Sequence, residues 1–315
     1  MFVNFNYNEI INNREKNFFS KTIYFLFIFL RRIILRYGDP LMSFKINRFN
    51  MKIPLSHNLP YYMSSYPYYS KNIGRIAQEI KIKYNSLSVI DIGANIGDTI
   101  VLIKGMVDCP ILCIEGNKKY YQLLSINAQE HKNVFQILSF VGEYNEQINS
   151  RICEDKGTAS LETVNNVKTQ IRTLADILKD APDFFSSKLI KIDTDGYDVK
   201  IIRGAIELFN ITKPVLFFEY HPYFMQKHNE SSYDVFKKLS IIGYKTVILY
   251  DNFGYPMMKA NVNAEQLFNE LFNYCSYYGE DKYFDICIFH SDDEDLAENI
   301  WLSEQKEFKK IYIGK

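Results

Sequence analysis

The sequence predicts an α/β fold built on a largely parallel sheet, and three observations carry this prediction. Short apolar runs alternate with longer segments of helical periodicity from residue 72 to residue 289. The first of these runs, residues 88–92, ends directly in a turn that contains Gly93 and Gly97. The chain of 315 residues is 47% hydrophobic with only 14 Gly and 9 Pro. This composition excludes a disordered or collagen-like chain and provides a large core.

The predicted elements follow one another in a regular order. Strands are expected over the apolar runs 88–92, 111–114, 134–138, 189–193, 215–220, 246–250 and 284–289. Helices are expected over 72–84, 98–106, 118–131, 174–178, 198–209 and 233–241, with irregular strands over 145–162. In a parallel sheet of this kind ligands bind at the carboxyl ends of the strands. Functional residues are therefore expected at the strand ends.

Charge and cysteine content exclude several classes of partner. Lys and Arg number 37, as do Asp and Glu, so no overall field attracts nucleic acid, and no nucleic-acid partner is expected. The five cysteines form no CxxC pair, which favours buried free thiols in a reducing cytoplasm over disulfides or a metal site. They are Cys109, Cys113, Cys153, Cys275 and Cys287.

Residues 1–52 are predicted to form a basic and apolar extension. An apolar run over 23–30 is followed by Arg31 and Arg32. Eight helical residues rise about 12 Å, against a hydrocarbon core of about 30 Å, so a membrane span is excluded. A signal peptide is not expected either, because two arginines stand where a cleavage site would be. Two interpretations stay open: a helix packed on protein, or a helix over 18–37 that makes peripheral contact with the inner face of the membrane.

The remaining chain divides into a domain over 53–290 and a tail over 291–315. The tail is acidic and then basic, and it opens with the carboxylates Asp292, Asp293, Glu294 and Asp295. The domain contains every predicted strand end.

The first strand end predicts a site for a cationic ligand. It reads VIDIGANIGDT over residues 89–99, which differs from a dinucleotide-binding loop because Asn95 replaces the second glycine. Gly93 and Gly97 allow a ligand to approach the backbone closely. Asp91 repels a pyrophosphate and suits the ammonium and sulfonium of S-adenosyl-L-methionine. Asp98 and Thr99 open the following helix and complete the predicted loop.

The second and third strand ends extend this predicted nucleoside site. Glu115 closes the second strand, where a carboxylate can accept both ribose hydroxyls in bonds of about 1.5–3 kcal/mol each. The adenine ring is expected against residues 139–141, which include Phe140 and Val141. The alternative is that Asp91 and Glu115 only cap helices.

Four sequence blocks resemble the FkbM-type methyltransferases. They are VIDIGANIGDT (89–99), IEGNK (114–118), LIKIDTDGYD (189–198) and FFEYHP (217–222), and the resemblance covers about residues 53–290. It implies a class I methyltransferase sheet, Rossmann-like, with seven strands of which the last is antiparallel, and helices on both faces. It also implies S-adenosyl-L-methionine as cofactor and O-methylation of a sugar or another small-molecule acceptor. The family more often has valine-glutamate where this chain has Thr194 and Asp195, so the carboxylate is one methylene shorter.

Two blocks are expected to carry the chemistry. Asp193 and Asp195 are close carboxylates, which tend to raise one pKa and favour proton acceptance. Glu219 and His221 are two apart and so would share one strand face. A glutamate beside a histidine orients it and makes it more basic, as a general base requires. The sequence therefore predicts His221 as the base, assisted by Glu219 or Asp193, with a purely structural Glu–His hydrogen bond as the alternative.

Two other functions remain open. Asp193 and Asp195 also form a D-x-D motif, by which many glycosyltransferases hold a divalent metal on a nucleotide sugar. That interpretation leaves the Asp91 loop unexplained. A non-catalytic binding protein on the same fold is the second alternative, and the intact glycine loop argues against it.

Overall fold

The computed structural model describes residues 8–11, 18–155 and 158–313. The chain divides into two compact units, Met1–Pro67 with Glu154–Thr158, and Tyr68–Cys153 with Ala159–Lys315. The predicted boundaries at residues 52 and 290 therefore do not coincide with the boundaries of these units. Residue 52 lies within a β-hairpin, and the segment after residue 290 is part of the larger unit.

The smaller unit contains a long helix and a hairpin. Helix Phe18–Tyr37 is followed by strands β1 (Leu41–Ile46) and β2 (Phe49–Pro54), which pair antiparallel, and by helix Leu59–Ser65. Arg31 donates from Nε to the Leu55 carbonyl at 3.0 Å and from Nη2 to the Ser56 carbonyl at 2.9 Å. Among the described residues no helix combines the length and apolarity needed to cross a bilayer.

The larger unit is built on two sheets. The strands that follow β2 are β3 (Val89–Ile92), β4 (Ile111–Glu115), β5 (Val134–Leu138), β6 (Phe140–Val141), β7 (Glu146–Asp155), β8 (Thr158–Arg172), β9 (Leu189–Ile192), β10 (Val215–Tyr220), β11 (Tyr244–Asp251), β12 (Pro256–Asn261) and β13 (Phe284–His290). They belong to the larger unit except for the end of β7 and the first residue of β8, which lie within Glu154–Thr158. The main sheet has the order β12-β11-β13-β10-β9-β3-β4-β5, and a small sheet has the order β6-β8-β7.

The main sheet confirms the predicted α/β class and corrects its strand count. Strands β5, β4, β3, β9 and β10 are parallel, and β13 lies antiparallel between β10 and β11. The last strand is therefore antiparallel, as expected. The sheet has eight strands, not seven, because β12 pairs with β11 through a hairpin that turns at Gly254 (φ +81°). Strand β12 alternates between half-buried and exposed positions at the sheet edge, so its sequence has no apolar run.

Helices cover both faces of the main sheet. On one face Ile90, Ile192 and Phe218 join a core cluster with Phe236 and Phe268 from two helices. On the other face the C-terminal helix contacts β11, β12 and β13 and also packs on the helix that precedes β3. The helices of this unit are Asn72–Tyr84, Asp98–Lys104, Lys118–Ala128, Leu174–Ile177, Asp198–Gly204, Ile206–Thr212, Pro222–Lys227, Asp234–Ile241, Glu265–Tyr278 and Glu294–Ile313.

A buried ion pair fixes the C-terminal helix. Arg75 Nη2 lies 2.6 Å from Glu304 Oε2, and the Glu304 side chain is fully buried. A second oxygen of Glu304 accepts from Arg75 Nε at 2.7 Å, so the pair is bidentate. The segment that the sequence predicts as a tail is thus a packed helix over its described residues.

Candidate functional site

The loop after β3 lies directly against the loop after β9. Gly93 and Ala94 both donate their backbone N–H to the Ile114 carbonyl, at 2.9 and 3.1 Å. Gly93 has φ +78°, and a Cβ placed on it would lie 1.8 Å from the backbone oxygen of Asp193. Only glycine fits here, because both the backbone conformation and the neighbouring carbonyl exclude a side chain.

Gly93→Ala is expected to lower the free energy of unfolding by more than about 2 kcal/mol, since it adds a backbone clash to the strain of a left-handed alanine. Gly279→Ala is the matched control, because Gly279 has φ +62° and no atom within 4 Å of its added Cβ. Urea unfolding of both variants measures the difference. Equal losses would show that the two loops do not approach closely.

Glu115 holds two loops together at the end of β4. Its Oε2 accepts the backbone N–H of Asn95 at 2.8 Å, and its Oε1 accepts that of Asn117 at 2.7 Å. Burial raises the pKa of Glu115, although these two amide bonds oppose the shift. Each carboxylate oxygen has a second lone pair. Glu115 therefore fixes the loops and can still accept hydrogen bonds from a ligand. The helix cap at this strand end belongs to Asn117, whose side chain accepts from Lys119 N at 2.8 Å.

A cleft opens at the carboxyl ends of β3, β4 and β9. Three carboxylates line the cleft, those of Glu115, Asp193 and Asp195, and no Lys or Arg among the described residues does so. Phe140 and Val141 contribute to an apolar wall. The cleft is thus acidic at one side and apolar at another.

The structure brings together seven of the predicted site residues in this cleft. They are Gly93, Asn95, Glu115, Phe140, Val141, Asp193 and Asp195. The predicted adenine segment after the third strand therefore lies beside Glu115. Gly116 accounts for this proximity, since a Cβ there would lie 2.2 Å from the Phe140 ring.

Asp91 does not line the cleft, which corrects the expectation that it faces a cationic ligand. Its side chain is fully buried, and Oδ1 lies 3.3 Å from Lys191 Nζ. Strands β3 and β9 are in a register that places Asp91 opposite Lys191, on a face of the sheet and not at its edge. Burial raises the pKa of Asp91, and Lys191 opposes that shift. Asp91 therefore lies within the sheet, below the loop, where it pairs with Lys191.

Gly97, Asp98 and Thr99 also lie outside the cleft lining. Gly97 turns the chain with φ +86°, and Thr99 is buried in the helix that follows. Burial raises the pKa of Asp98 to about 6, with Lys191 opposing the shift. These three residues are placed to shape the loop and the first turn of its helix.

Lys191 is the central residue that the sequence-based prediction missed. Its Nζ lies 3.1 Å from Asp193 Oδ2 as well as 3.3 Å from Asp91 Oδ1. Burial alone would lower the pKa of Lys191, but Asp193, Asp91 and Asp98 hold it well above its ordinary value. A lysine inside an apolar strand, with an aspartate inside the preceding strand of the sheet, was the signal that could have identified this pair.

Asp195 combines access to the cleft with a shifted pKa. It follows β9 in the left-handed region, with φ +51°, in a turn that leads to Gly196. Burial, followed by the charges of Asp193 and Glu115, raises the pKa of Asp195 to about 7. A carboxyl with this pKa exchanges protons near neutral pH.

Glu219 and His221 do not form the predicted hydrogen bond in the described part of the chain. Strand β10 ends at Tyr220, so His221 lies one residue beyond the strand, at the start of helix Pro222–Lys227. Glu219 instead pairs in register with Asp285 of β13. Burial, and then the charges of Asp193, Asp195, Asp198 and Asp285, raises the pKa of Glu219 well above its ordinary value.

His221 is a weaker base than predicted. It is 3% exposed, and its ring stacks on Tyr283 with centroids 5.1 Å apart and an interplanar angle of 18°. Burial lowers the pKa of His221 to about 4. The neighbouring glutamate was expected to raise its basicity, but desolvation of the imidazolium is the larger effect.

Cysteines and potential metal ligands show a simple pattern in the described part of the chain. No three His, Cys, Asp or Glu side chains there are arranged to hold a metal ion. Cys109, Cys113, Cys275 and Cys287 are buried and free. The Cys153 side chain lies outside the described residues.

A family model covers the strands that form the cleft. Residues 91–246 match the model described as methyltransferase FkbM domain. The matched range starts inside β3 and ends inside β11, so it is narrower than the 53–290 expected from the sequence blocks. No curated protein matches the chain.

Several solved structures resemble the chain at low identity. A methyltransferase FkbM from Methylobacillus flagellatus KT is 16% identical to this chain, with a TM-score of 0.37. The alignment covers 61% of this chain and 55% of the Methylobacillus protein. The precorrin-6y C5,15-methyltransferase from Geobacter metallireducens GS-15 is 13% identical, with 65% and 80% coverage and a TM-score of 0.34. The Methanococcus jannaschii fibrillarin pre-rRNA processing protein is 12% identical, with 79% and 83% coverage and a TM-score of 0.36. This chain thus spans about half the length of the Methylobacillus protein.

Proposed function

Residues 91–246 form a methyltransferase domain of the FkbM family, and we propose that the chain transfers a methyl group from S-adenosyl-L-methionine to a hydroxyl oxygen of a sugar or another small molecule. The cleft at the ends of β3, β4 and β9 carries this proposal. Three carboxylates line it without a lysine or arginine among the described residues, which suits a cationic cosubstrate and disfavours a phosphate.

The residues of the cleft fit S-adenosyl-L-methionine in their chemistry. Glu115 would accept hydrogen bonds from the ribose hydroxyls with its remaining lone pairs. Phe140 and Val141 would contact the adenine, and Asp193 would face the positively charged end. When bound, this cofactor supplies an activated methyl group on a sulfonium. The chain then has to align the two reactants and to remove a proton from the acceptor.

We assign proton removal to Asp195. It lines the same cleft, and its pKa of about 7 leaves a large ionised fraction at neutral pH. General-base catalysis of this kind contributes about 10²–10⁴-fold to the rate. His221 and Glu219, which were predicted for this role, lie outside the cleft lining and would act by supporting the segments around Asp193.

The proposed acceptor and the proposed cellular compartment rest on separate features. The proposal of a sugar hydroxyl rests on the family resemblance of the four sequence blocks. The proposal of a cytoplasmic location rests on four buried free thiols, which are typical of a reducing compartment. A screen of glycan precursors with isotope-labelled methyl donor, read by mass spectrometry, would identify the acceptor and the methylated atom.

Calorimetric titration with S-adenosylhomocysteine tests the cofactor site. We expect binding without added metal, and a loss of about 10- to 100-fold in affinity for Glu115→Gln, because the amide cannot accept with both atoms and carries no charge. Glu130→Gln is the control, since Glu130 is exposed at the end of helix Lys118–Ala128 and away from the cleft lining. Thermal unfolding of both variants, without ligand, separates lost affinity from lost folding.

The same titration distinguishes the alternatives. Binding of a UDP-sugar that requires Mn²⁺, together with no binding of S-adenosylhomocysteine, would favour a glycosyltransferase. Binding of none of these ligands would favour a non-catalytic protein. Binding of NAD alone would contradict the acidic-cleft argument directly.

A further inference from the structure

The outward face of helix Phe18–Tyr37 presents large apolar side chains to solvent. The exposed fractions of Phe25, Leu26 and Phe29 are 65%, 54% and 59%. At 3.6 residues per turn these three positions fall within one sector of the helix. A cluster of three exposed large apolar residues on one helix face is typical of a surface that binds a partner.

Two arginines continue this face toward the end of the helix. Phe25, Phe29, Arg32 and Arg36 are spaced i, i+4, i+7 and i+11, so they form one row about 16 Å long, here called the outward row. Arg32 and Arg36 are both exposed. Within residues 8–11, 18–155 and 158–313 neither arginine forms an ion pair. The outward row therefore has an apolar half and a basic half.

The opposite side of the helix is fixed to its own unit. Arg31 lies about 130° around the helix from the centre of the outward row, which is about a third of a turn. Its guanidinium donates to the carbonyls of Leu55 and Ser56. These two hydrogen bonds define the rotation of the helix about its axis, so the outward row faces solvent within the smaller unit.

The charge of residues 18–67 indicates what kind of partner the outward row would bind. Residues 18–67 contain one acidic residue, Asp39, which accepts hydrogen bonds from the Ser56 hydroxyl at 2.6 Å and from the Ser56 amide at 2.9 Å. The same stretch contains seven basic residues, Lys21, Arg31, Arg32, Arg36, Lys45, Arg48 and Lys52. An anionic partner is therefore favoured over a cationic one.

We infer that the outward row docks on the surface of a bilayer that contains anionic phospholipid. Aromatic side chains partition to the boundary between headgroups and acyl chains, and arginines bind anionic headgroups. A bilayer surface accommodates both halves of the row at once without a matching groove. The helix would lie in the plane of the interface.

Flotation of the full-length protein with vesicles tests this inference. We compare phosphatidylcholine vesicles with vesicles that also contain 30% phosphatidylglycerol, on the order of the anionic content used to mimic such surfaces, at low and high salt. We expect binding to the anionic vesicles that weakens with salt. Arg32→Gln with Arg36→Gln should weaken it about 25- to 30-fold, or about fivefold for each arginine. Phe25→Ser with Phe29→Ser should weaken it at least about tenfold.

Matched controls come from the larger unit. Lys237→Gln with Lys238→Gln removes two exposed basic charges, and Ile211→Ser with Ile241→Ser removes two side chains that are 69% and 77% exposed. Both controls should bind like the wild type, and circular dichroism should show all four variants folded. Absence of vesicle binding by the wild type, or equal losses in the controls, would overturn the inference. A dimer that dissociates on Phe25→Ser with Phe29→Ser, without vesicle binding, would also overturn it in favour of a second copy of the chain.

Discussion

Asp195→Asn is expected to lower turnover strongly while S-adenosylhomocysteine still binds. The loss should be about 10²–10⁴-fold in kcat, which is the usual contribution of a general base. Asparagine has nearly the same shape and cannot take a proton, so the cleft should keep its form. The measurement is methyl transfer to the acceptor found in the glycan screen, with affinity determined in parallel by calorimetry.

The pH profile provides an independent check of this assignment. The pKa of Asp195 is raised to about 7, so its carboxylate form becomes dominant as the pH rises above 7. The wild-type kcat/KM should therefore increase through that range, and the residual activity of Asp195→Asn should lack this limb. If Asp195→Asn showed the same increase of kcat/KM with pH, the increase would have to come from another titrating group.

His221→Ala is the comparison variant. Because the pKa of His221 is lowered to about 4, its imidazole is neutral throughout the working range and gives no limb near 7. We expect His221→Ala to lose less than about tenfold in kcat and to lose stability, since it removes a buried ring stacked on Tyr283. A loss in His221→Ala as large as in Asp195→Asn would return the role of base to the histidine.

Much of the donor cleft could be predicted because strand ends are visible in sequence. Gly93 directly follows β3, Glu115 is the last residue of β4, and Asp195 lies in the turn after β9, and parallel strands bring their carboxyl ends to one edge. The structure places all three in one cleft. The antiparallel last strand followed from the family resemblance of the blocks.

The errors concern residues whose environment depends on pairing between distant strands. Asp91 was predicted to face a ligand, but the register of β3 with β9 places Lys191 opposite it. Glu219 and His221 were predicted to lie on one strand, but β10 ends at Tyr220, and an apolar pattern does not encode that end. Desolvation of His221 depends on Tyr283 and Phe224 packing around it, and a sequence pattern of Glu and His contains no information on that burial.

Helix boundaries also depend on tertiary packing that the sequence pattern does not show. The predicted helix over 198–209 is divided at Ala205 into Asp198–Gly204 and Ile206–Thr212. A Cβ on Gly204 would lie 2.7 Å from the backbone of Glu143, so tertiary packing determines the local conformation there. Helix Glu265–Tyr278 was not predicted, because only Phe268 and Cys275 are buried along it and the apolar stripe is narrow.

Lys191→Met should be the most destabilising single change in the sheet. It removes the cation from a pair in which the Asp91 side chain is fully buried and that of Lys191 is 12% exposed. Breaking a buried pair by removing one partner costs about 3–5 kcal/mol, because the remaining charge is left without compensation. Asp193 should tolerate the loss, since its side chain is 49% exposed and water can solvate it.

The effect of Lys191→Met should depend on pH in a defined direction. Burial raises the pKa of Asp91 in the folded state, and without Lys191 only the hydrogen bond with Thr99 opposes that shift. A carboxyl whose folded pKa is raised stabilises the protein at low pH and loses that contribution as the pH rises toward the folded pKa. Urea unfolding should therefore show a smaller loss at pH 5, where Asp91 can fold protonated, than at pH 8.

The double variant Asp91→Asn with Lys191→Met separates this electrostatic effect from a packing effect. Removing both charges leaves no buried ion, so most of the lost stability should return, and the two substitutions should be strongly non-additive. A packing defect at Lys191 would instead persist in the double variant and would not change with pH. A loss below about 1 kcal/mol in the single variant at pH 8 would mean that Asp91 folds uncharged in the wild type. Lys191 would then stabilise only Asp193, at the edge of the cleft.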